Sequence, residues 1–143
     1  MTVINRSALL PFAAHQLFDL VDDIESYPGF MEGCVGATVL SRQAGWVEAR
    51  LDLARGGIRQ SFSTRNQLSP PNQIVLELID GPFEYFSGRW DFQALDDAAC
   101  KMSLNLEFSV NSKVLGAAAA RLFDRATNNK VDAVCTRATQ IYG

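Results

Sequence analysis

The sequence predicts an α+β fold, in which a curved antiparallel sheet of about seven strands wraps around one long C-terminal helix. Three observations predict it. Alternation of apolar and polar residues, the signature of half-buried strands, runs almost unbroken from Val35 to Val110. A short helical stretch precedes that region, and the only long apolar helix, Lys113 to Tyr142, follows it. A twisted antiparallel sheet cannot bury its apolar face alone, so the closing helix must cover it. A curved sheet gripping one helix tends to leave apolar space between the two. The layout therefore points to a lipid-sized ligand.

Thr2–Leu10 reads as a strand with ambiguous faces, since one register carries Arg6 and the other Asn5. Pro11 ends it. Ala13–Asp23 follows as a helix, with Leu17, Leu20, Val21 and Ile24 at helical spacing. Tyr27-Pro28-Gly29-Phe30 stops that helix, because Pro and Gly break any continuation. A strand over Val35–Leu40 opens the sheet region. In the next strand Val47, Ala49, Leu51 and Leu53 face inward, and Glu48, Arg50 and Asp52 outward. Gly56-Gly57 supplies a hairpin turn. Ile58, Phe62 and Leu68 then face in with Arg59 and Arg65 out, and the same alternation puts Gln60, Thr64 and Asn66 on the inner face.

After the turn at Ser69-Pro70-Pro71-Asn72, Ile74, Leu76 and Leu78 face in. Beyond Gly81-Pro82, Phe86, Gly88, Trp90, Phe92 and Ala94 share one face. Past Asp96-Asp97, Cys100, Met102, Leu104, Leu106, Phe108 and Val110 complete the inner surface. Folding the hairpins about these turns sets Asp52 opposite Arg59, Trp46 near Arg65 and Arg65 opposite Glu77, complementary pairs of the kind that cross-strand packing favours. In the closing helix, capped at Asn111 or Ser112, the inward stripe is Leu115, Ala118, Leu122, Ala126, Asn129 and Ala133, widened by Phe123 and Val134. Its start, Gly116 to Ala120, is thin in side chains. Thin residues let a helix approach a sheet closely, or leave space for a ligand.

A chain of 143 residues is the size of one domain with one core. It buries enough surface to fold without a disulfide or metal staple. The net charge of −3 argues against binding DNA or RNA by bulk attraction. The three cysteines, Cys34, Cys100 and Cys135, are far apart and form no C-x-x-C, which points to a reducing compartment. The longest apolar run, around Val114–Ala120, falls far short of the roughly 18 residues of a membrane span. Asn5 and Arg6 break the N-terminal apolar stretch before it can serve as a signal peptide. A cytoplasmic protein is expected, monomeric, touching membranes at most at their surface.

Tyr27-Pro28-x-Phe30 followed by Cys34, then Thr64-Arg65-Asn66-Gln67-Leu68, Gly81-Pro82-Phe83 and Trp90-x-Phe92 resemble, in this order and over nearly the whole chain, the coenzyme Q-binding START-domain family. One departure is Met31-Glu32-Gly33-Cys34, where many relatives carry Pro-Trp before the cysteine. The resemblance implies a helix-grip (START/Bet v 1-like) fold, one ligand-binding domain over residues 1–143, a hydrophobic tunnel and no catalytic centre. It implies ubiquinone or its polyprenyl tail as ligand, in support of respiration, and no cofactor. A bacterial toxin branch of the family is associated with binding the large ribosomal subunit and blocking its joining to the small one. The alternative is an enzyme of the same fold, a polyketide cyclase or aromatase.

The residues themselves offer an enzyme little. His15 is the only histidine, early in a surface helix. No pair of carboxylates is expected on the inner face for acid–base work, no metal-ligand spacing exists, and no Gly-rich phosphate loop precedes a helix. The expected tunnel wall is Phe62, Leu78, Trp90, Phe92, Leu106 and Phe108 on the sheet, with Leu122 and Phe123 on the helix. The aromatic stripe among them serves equally as plain core. Gln60, Thr64 and Asn66 are candidates to hold a polar head group such as a quinone carbonyl, or bond to one another. Tyr27, Phe30 and Phe83, beside Pro-Gly and Gly-Pro breakers, are candidates for a mobile gate, or plug the end of the core. Ala118 marks the thin helix start, where a larger side chain is expected to fill the tunnel. Arg50, Arg55, Arg59 and Arg65 cluster on one outer face and could meet ribosomal RNA phosphates. Glu48, Asp52 and Glu77 interleave with them, as in a salt-linked, solvated face.

Overall fold

The alternation across residues 34–110 becomes six consecutive antiparallel strands, each turning back on the one before. In a computed structural model, which describes the backbone of residues 1–143 and all side chains except those of residues 112–115, they are β2 (Cys34–Gln43), β3 (Trp46–Arg55), β4 (Ile58–Ser69), β5 (Gln73–Asp80), β6 (Phe83–Asp96) and β7 (Ala99–Val110). A first strand, β1 (Thr2–Leu10), adds to the far side of β7, so the seven-stranded order is β1-β7-β6-β5-β4-β3-β2. Between β1 and β2 the chain crosses from one sheet edge to the other through α1 (Ala14–Asp22) and a short 3-10 helix, Ile24–Gly29. This curved antiparallel sheet covered by C-terminal helices is the arrangement the sequence predicts.

The ambiguity of β1 resolves toward the register that carries Arg6. Ile4 is buried, while Val3 and Leu9 are exposed. Arg6 escapes burial by reaching over the sheet edge, where its guanidinium donates to both carboxylate oxygens of Asp132 at 3.0 Å and to the Asn128 carbonyl at 3.2 Å. Next to it the Thr2 hydroxyl donates to Asp124 at 2.9 Å. These contacts tie the edge strand to the C-terminal helices.

The β3–β4 register differs from the expected one by two residues. Arg55 and Ile58 flank the turn as partners, so Asp52 faces Ser61 and Arg59 faces Ala54, instead of Asp52 facing Arg59. Gly56 and Gly57 both have positive φ, +56° and +83°, as a two-residue turn of this hand requires. A slip of two residues leaves every side chain on its original face. The inward assignments of Val47, Ala49, Leu51 and Leu53 therefore stand. Arg65 pairs with Glu77 across β4–β5 as expected. It also faces Glu48 and lies over the Trp46 ring, 4.5 Å from its centroid.

The single closing helix is two helices. α2 (Ser112–Asn128) and α3 (Lys130–Tyr142) meet at Asn129, and Gly116 inside α2 is non-helical, with φ 75° and ψ 171°. The side chains before the break compete for the backbone. Thr127 donates to the carbonyls of Phe123 at 2.8 Å and Asp124 at 3.1 Å, and Asn128 to that of Asp124 at 2.9 Å. Asn111 stands at the N-cap position without a side-chain capping bond. Leu115, expected on the inward stripe, lies outside the described side chains.

The core sits between the inner sheet face and these helices. Phe123 of α2 meets Phe83 at 4.8 Å and Phe62 at 5.9 Å between ring centroids, and Phe83 also meets Phe86 and Phe108. On the other side Phe18 of α1 stands edge-on to Phe92 at 5.7 Å. Tyr142 closes α3 onto α1 by donating to the Gln16 carbonyl at 3.1 Å. Among the described residues no helix is long and apolar enough to cross a membrane.

Candidate functional site

Strands β3 to β7 present one wall of a cavity, and α1, the 3-10 helix and the α2–α3 junction present the other. The sheet contributes Ala49, Leu51, Phe62, Ile74, Leu76, Phe86, Trp90 and Leu106, with Thr64 and Asn66 among them. The opposite wall is Val21, Ile24, Tyr27, Thr127 and Lys130. The space between atoms amounts to about 520 Å³ with its open mouth included. It is narrow. Only a few water molecules fit unless the walls move apart.

Its polar groups are few, and each has a definite state. The Thr64 hydroxyl donates to Asn66 Oδ1 at 2.8 Å, which leaves the Asn66 amide nitrogen as the donor this side chain can offer a ligand. The Tyr27 phenol donates to the Val21 carbonyl, and burial pushes its pKa above the ordinary tyrosine range. Tyr27 is thus a fixed, neutral wall. Lys130 differs from both. It is half-buried in the cavity wall. Among the described residues no carboxylate lies within 4 Å of it. Burial pulls its pKa down, and the only charge acting against that shift is Cys34. Cys34 is itself held toward the neutral thiol by burial.

Six of the residues expected to form the site line the cavity together: Tyr27, Phe62, Thr64, Asn66, Trp90 and Leu106. Phe92, Phe108, Leu122 and Phe123 are buried beside it, as core. Leu78 is half-buried outside the cavity wall, and Gln60 belongs to an outer groove with Val35, Arg50 and Ser61. The three gate candidates do not form one gate. Phe30 lies edge-on to Tyr27 at 5.8 Å with Arg137 5.5 Å above its ring, whereas Phe83 belongs to the aromatic cluster around Phe123. Ala118 is exposed, and Ala119 is the buried residue of that pair. The large ring of Phe123 sets the rotation of α2, so the inward stripe is Ala119, Leu122, Phe123, Ala126 and Thr127. Alanine positions do not set it. Lys130 and Thr127 went unrecognised in the sequence, although Phe123, Thr127, Lys130 and Val134 follow one another at helical spacing.

His15 is exposed on α1 and lines none of the cavity. Among the described residues no cluster of three His, Cys, Asp or Glu could hold a metal ion. His15→Ala is therefore expected to leave ligand binding unchanged and stability within about 0.5 kcal/mol of the parent, by titration and urea unfolding. A loss of binding in the folded variant would make His15 part of the site.

The outer arginine face is salt-linked. Arg50 pairs with Asp52 at 2.9 Å, Arg55 with Glu32 at 2.7 Å and Arg65 with Glu48 at 2.9 Å. The Ser61 hydroxyl also donates to Asp52, and together with Arg50 it holds that carboxyl below the usual carboxylate range. Arg59 has no carboxylate within 4 Å among the described residues.

The sequence profile of the family described as "Polyketide cyclase / dehydrase and lipid transport" matches residues 10–135. A protein named ribosome association toxin RatA, from Vibrio cholerae, is 43% identical over 143 residues, covering 100% of this chain and 99% of that one. A mitochondrial coenzyme Q-binding protein, COQ10 homolog B of Xenopus laevis, is 24% identical over 97% of this chain and 59% of its own length. Among solved structures, the Zhui aromatase/cyclase from a Streptomyces species superposes with a TM-score of 0.80 at 17% identity, covering 97% of this chain and 94% of that one. At that identity the likeness is one of fold.

Proposed function

The chain belongs to the polyketide cyclase / dehydrase and lipid transport family, and we propose that it is a non-enzymatic binder of a hydrophobic molecule that also acts on ribosomes. The ligand class we propose is ubiquinone or a polyprenyl lipid. The ribosomal action is association with the large subunit in a way that blocks its joining to the small one. The first half rests on one observation, the cavity. Its walls are apolar on both sides, and the few polar groups are grouped on β4 and at the α2–α3 junction. A polyprenyl tail laid along such walls gains roughly 0.8 kcal/mol per buried methylene. The Asn66 amide can donate to a ring carbonyl. Entry requires the helices to move off the sheet, and the non-helical Gly116 and the break at Asn129 bracket the segment that would move.

The second half is supported by full-length likeness to a protein named as a ribosome association toxin. On this proposal the protein acts in the cytoplasm, as a monomer. The test is sedimentation. Purified protein mixed with separated ribosomal subunits should travel with the large subunit and lower the yield of joined ribosomes. Protein that stays at the top of the gradient, with joining undisturbed, would contradict this half. The likeness to an aromatase/cyclase supports the fold and adds no activity.

A further inference from the structure

We propose that the cavity is built for an amphiphile with an anionic head, a carboxylate in particular, whose charge is met by the Lys130 ammonium. The inference rests on the reading of the cavity as a ligand site, and goes beyond it by fixing the ligand's charge. Lys130 lines the cavity and has no carboxylate within 4 Å among the described residues. The other residues on its side of the cavity, Val21, Ile24, Tyr27 and Thr127, carry no carboxylate, and Cys34, the one charge that acts on it, is held toward the neutral thiol by burial. An ammonium half-buried among apolar side chains, where burial already pulls its pKa down, gains from a counter-ion. A neutral quinone or a bare polyprenyl chain would cover the amine with apolar atoms and deprive it further of water. A carboxylate would instead form a charge-assisted hydrogen bond, among the stronger contacts a buried site can make.

The number of donors argues for a carboxylate over a phosphate. One cation and one free amide, that of Asn66, match a singly charged head. A phosphate group has more charge and more acceptor oxygens than these can satisfy. The apolar remainder of the cavity, from Ile24 past Trp90 to Leu106, suits an alkyl or isoprenoid chain.

The test compares three probes on the full chain: oleate, oleyl alcohol and a short-chain ubiquinone analogue, each titrated against the parent protein, Lys130→Met and Lys130→Arg. A charge-assisted bond should make oleate bind about tenfold or more tighter than the alcohol. Lys130→Met should bring the ratio of oleate to alcohol affinity down to about one, since the methionine side chain keeps apolar bulk in the wall but carries no charge. Lys130→Arg should restore the preference, and thermal melts show that each variant is folded. Equal binding of oleate and alcohol by the parent overturns the proposal, as does oleate binding indifferent to Lys130→Met. If the quinone analogue binds and oleate does not, the anionic-head inference fails while the cavity remains a ligand site. If none of the three binds, both fail.

Discussion

Phe123→Ala is expected to lower the stability of the protein by about 3–5 kcal/mol, the cost of removing a fully buried aromatic ring from a packed core. Phe123 is 1% exposed and its ring is central to the aromatic cluster, with Phe83 4.8 Å and Phe62 5.9 Å away. Removing it leaves those two rings facing a void that the sheet cannot close, because both are anchored in hydrogen-bonded strands. It also removes the side chain that fixes the rotation of α2. For a domain of this size the melting midpoint should fall by on the order of 10 °C. Urea unfolding measures the free energy directly. A loss below about 1 kcal/mol would mean that α2 is held by other contacts, and that its rotation is set elsewhere.

The second large effect is on ligand binding. Ala49 is 3% exposed on β3, opposite Thr64, and its methyl group forms part of the cavity wall. Ala49→Phe puts a ring into the space between Leu51, Thr64 and the opposite wall. Overpacking is expected to cost about 1–3 kcal/mol, so the protein remains folded. Affinity for a ubiquinone analogue or a fatty acid should fall by at least about tenfold, corresponding to 1.4 kcal/mol or more. Ala118→Trp is the control. The sequence pointed to it as a tunnel-filling change, but Ala118 is exposed, and this variant should bind normally. The Ala49→Phe protein also separates the two proposed activities. If it still sediments with the large ribosomal subunit, the ribosome contact is on the outer surface. Arg59, which has no carboxylate within 4 Å among the described residues, is then the first side chain to replace.

What could be read from residues alone follows from the physics of each signal. Alternation fixes which way a strand side chain points, and the inner faces of β3, β6 and β7 came out as expected, from Val47 to Phe108, except at Ala94, which is exposed near the end of β6. It does not fix register. With Arg50, Asp52, Arg59 and Arg65 all facing outward, a two-residue slip also gives plausible charge pairs, so complementarity could not tell Asp52–Arg59 from Asp52–Ser61. The break at Asn129 was hidden because the apolar spacing continues through it, from Phe123 to Val131 and Val134. Its trace is local: Thr127-Asn128-Asn129, three residues whose side chains compete for helix backbone.

The site was legible in half. Direction alone separates inner from outer residues, but not cavity wall from solid core. That depends on how closely α2 and α3 approach the sheet. Trp90 and Phe92 share a face and a stripe, yet only Trp90 borders the cavity. Lys130 was passed over for another reason. A charged residue on an amphipathic helix is read as solvent-facing by default, and the spacing that places it beside Thr127 and Phe123 is visible only once charge is set aside. The arginine face shows the opposite outcome: interleaved carboxylates pointed to a salt-linked surface, and the ion pairs of Arg50, Arg55 and Arg65 are there.

The central claim is that this chain holds a hydrophobic ligand between its sheet and its C-terminal helices. The most direct measurement is mass spectrometry of the lipid-soluble extract from the purified parent protein and from Ala49→Phe, prepared side by side. The account predicts a quinone, polyprenyl or fatty-acid species released from the parent in near-stoichiometric amount and absent from the variant. An extract free of such species, from a protein that also fails to take up oleate or a ubiquinone analogue when supplied, would contradict it.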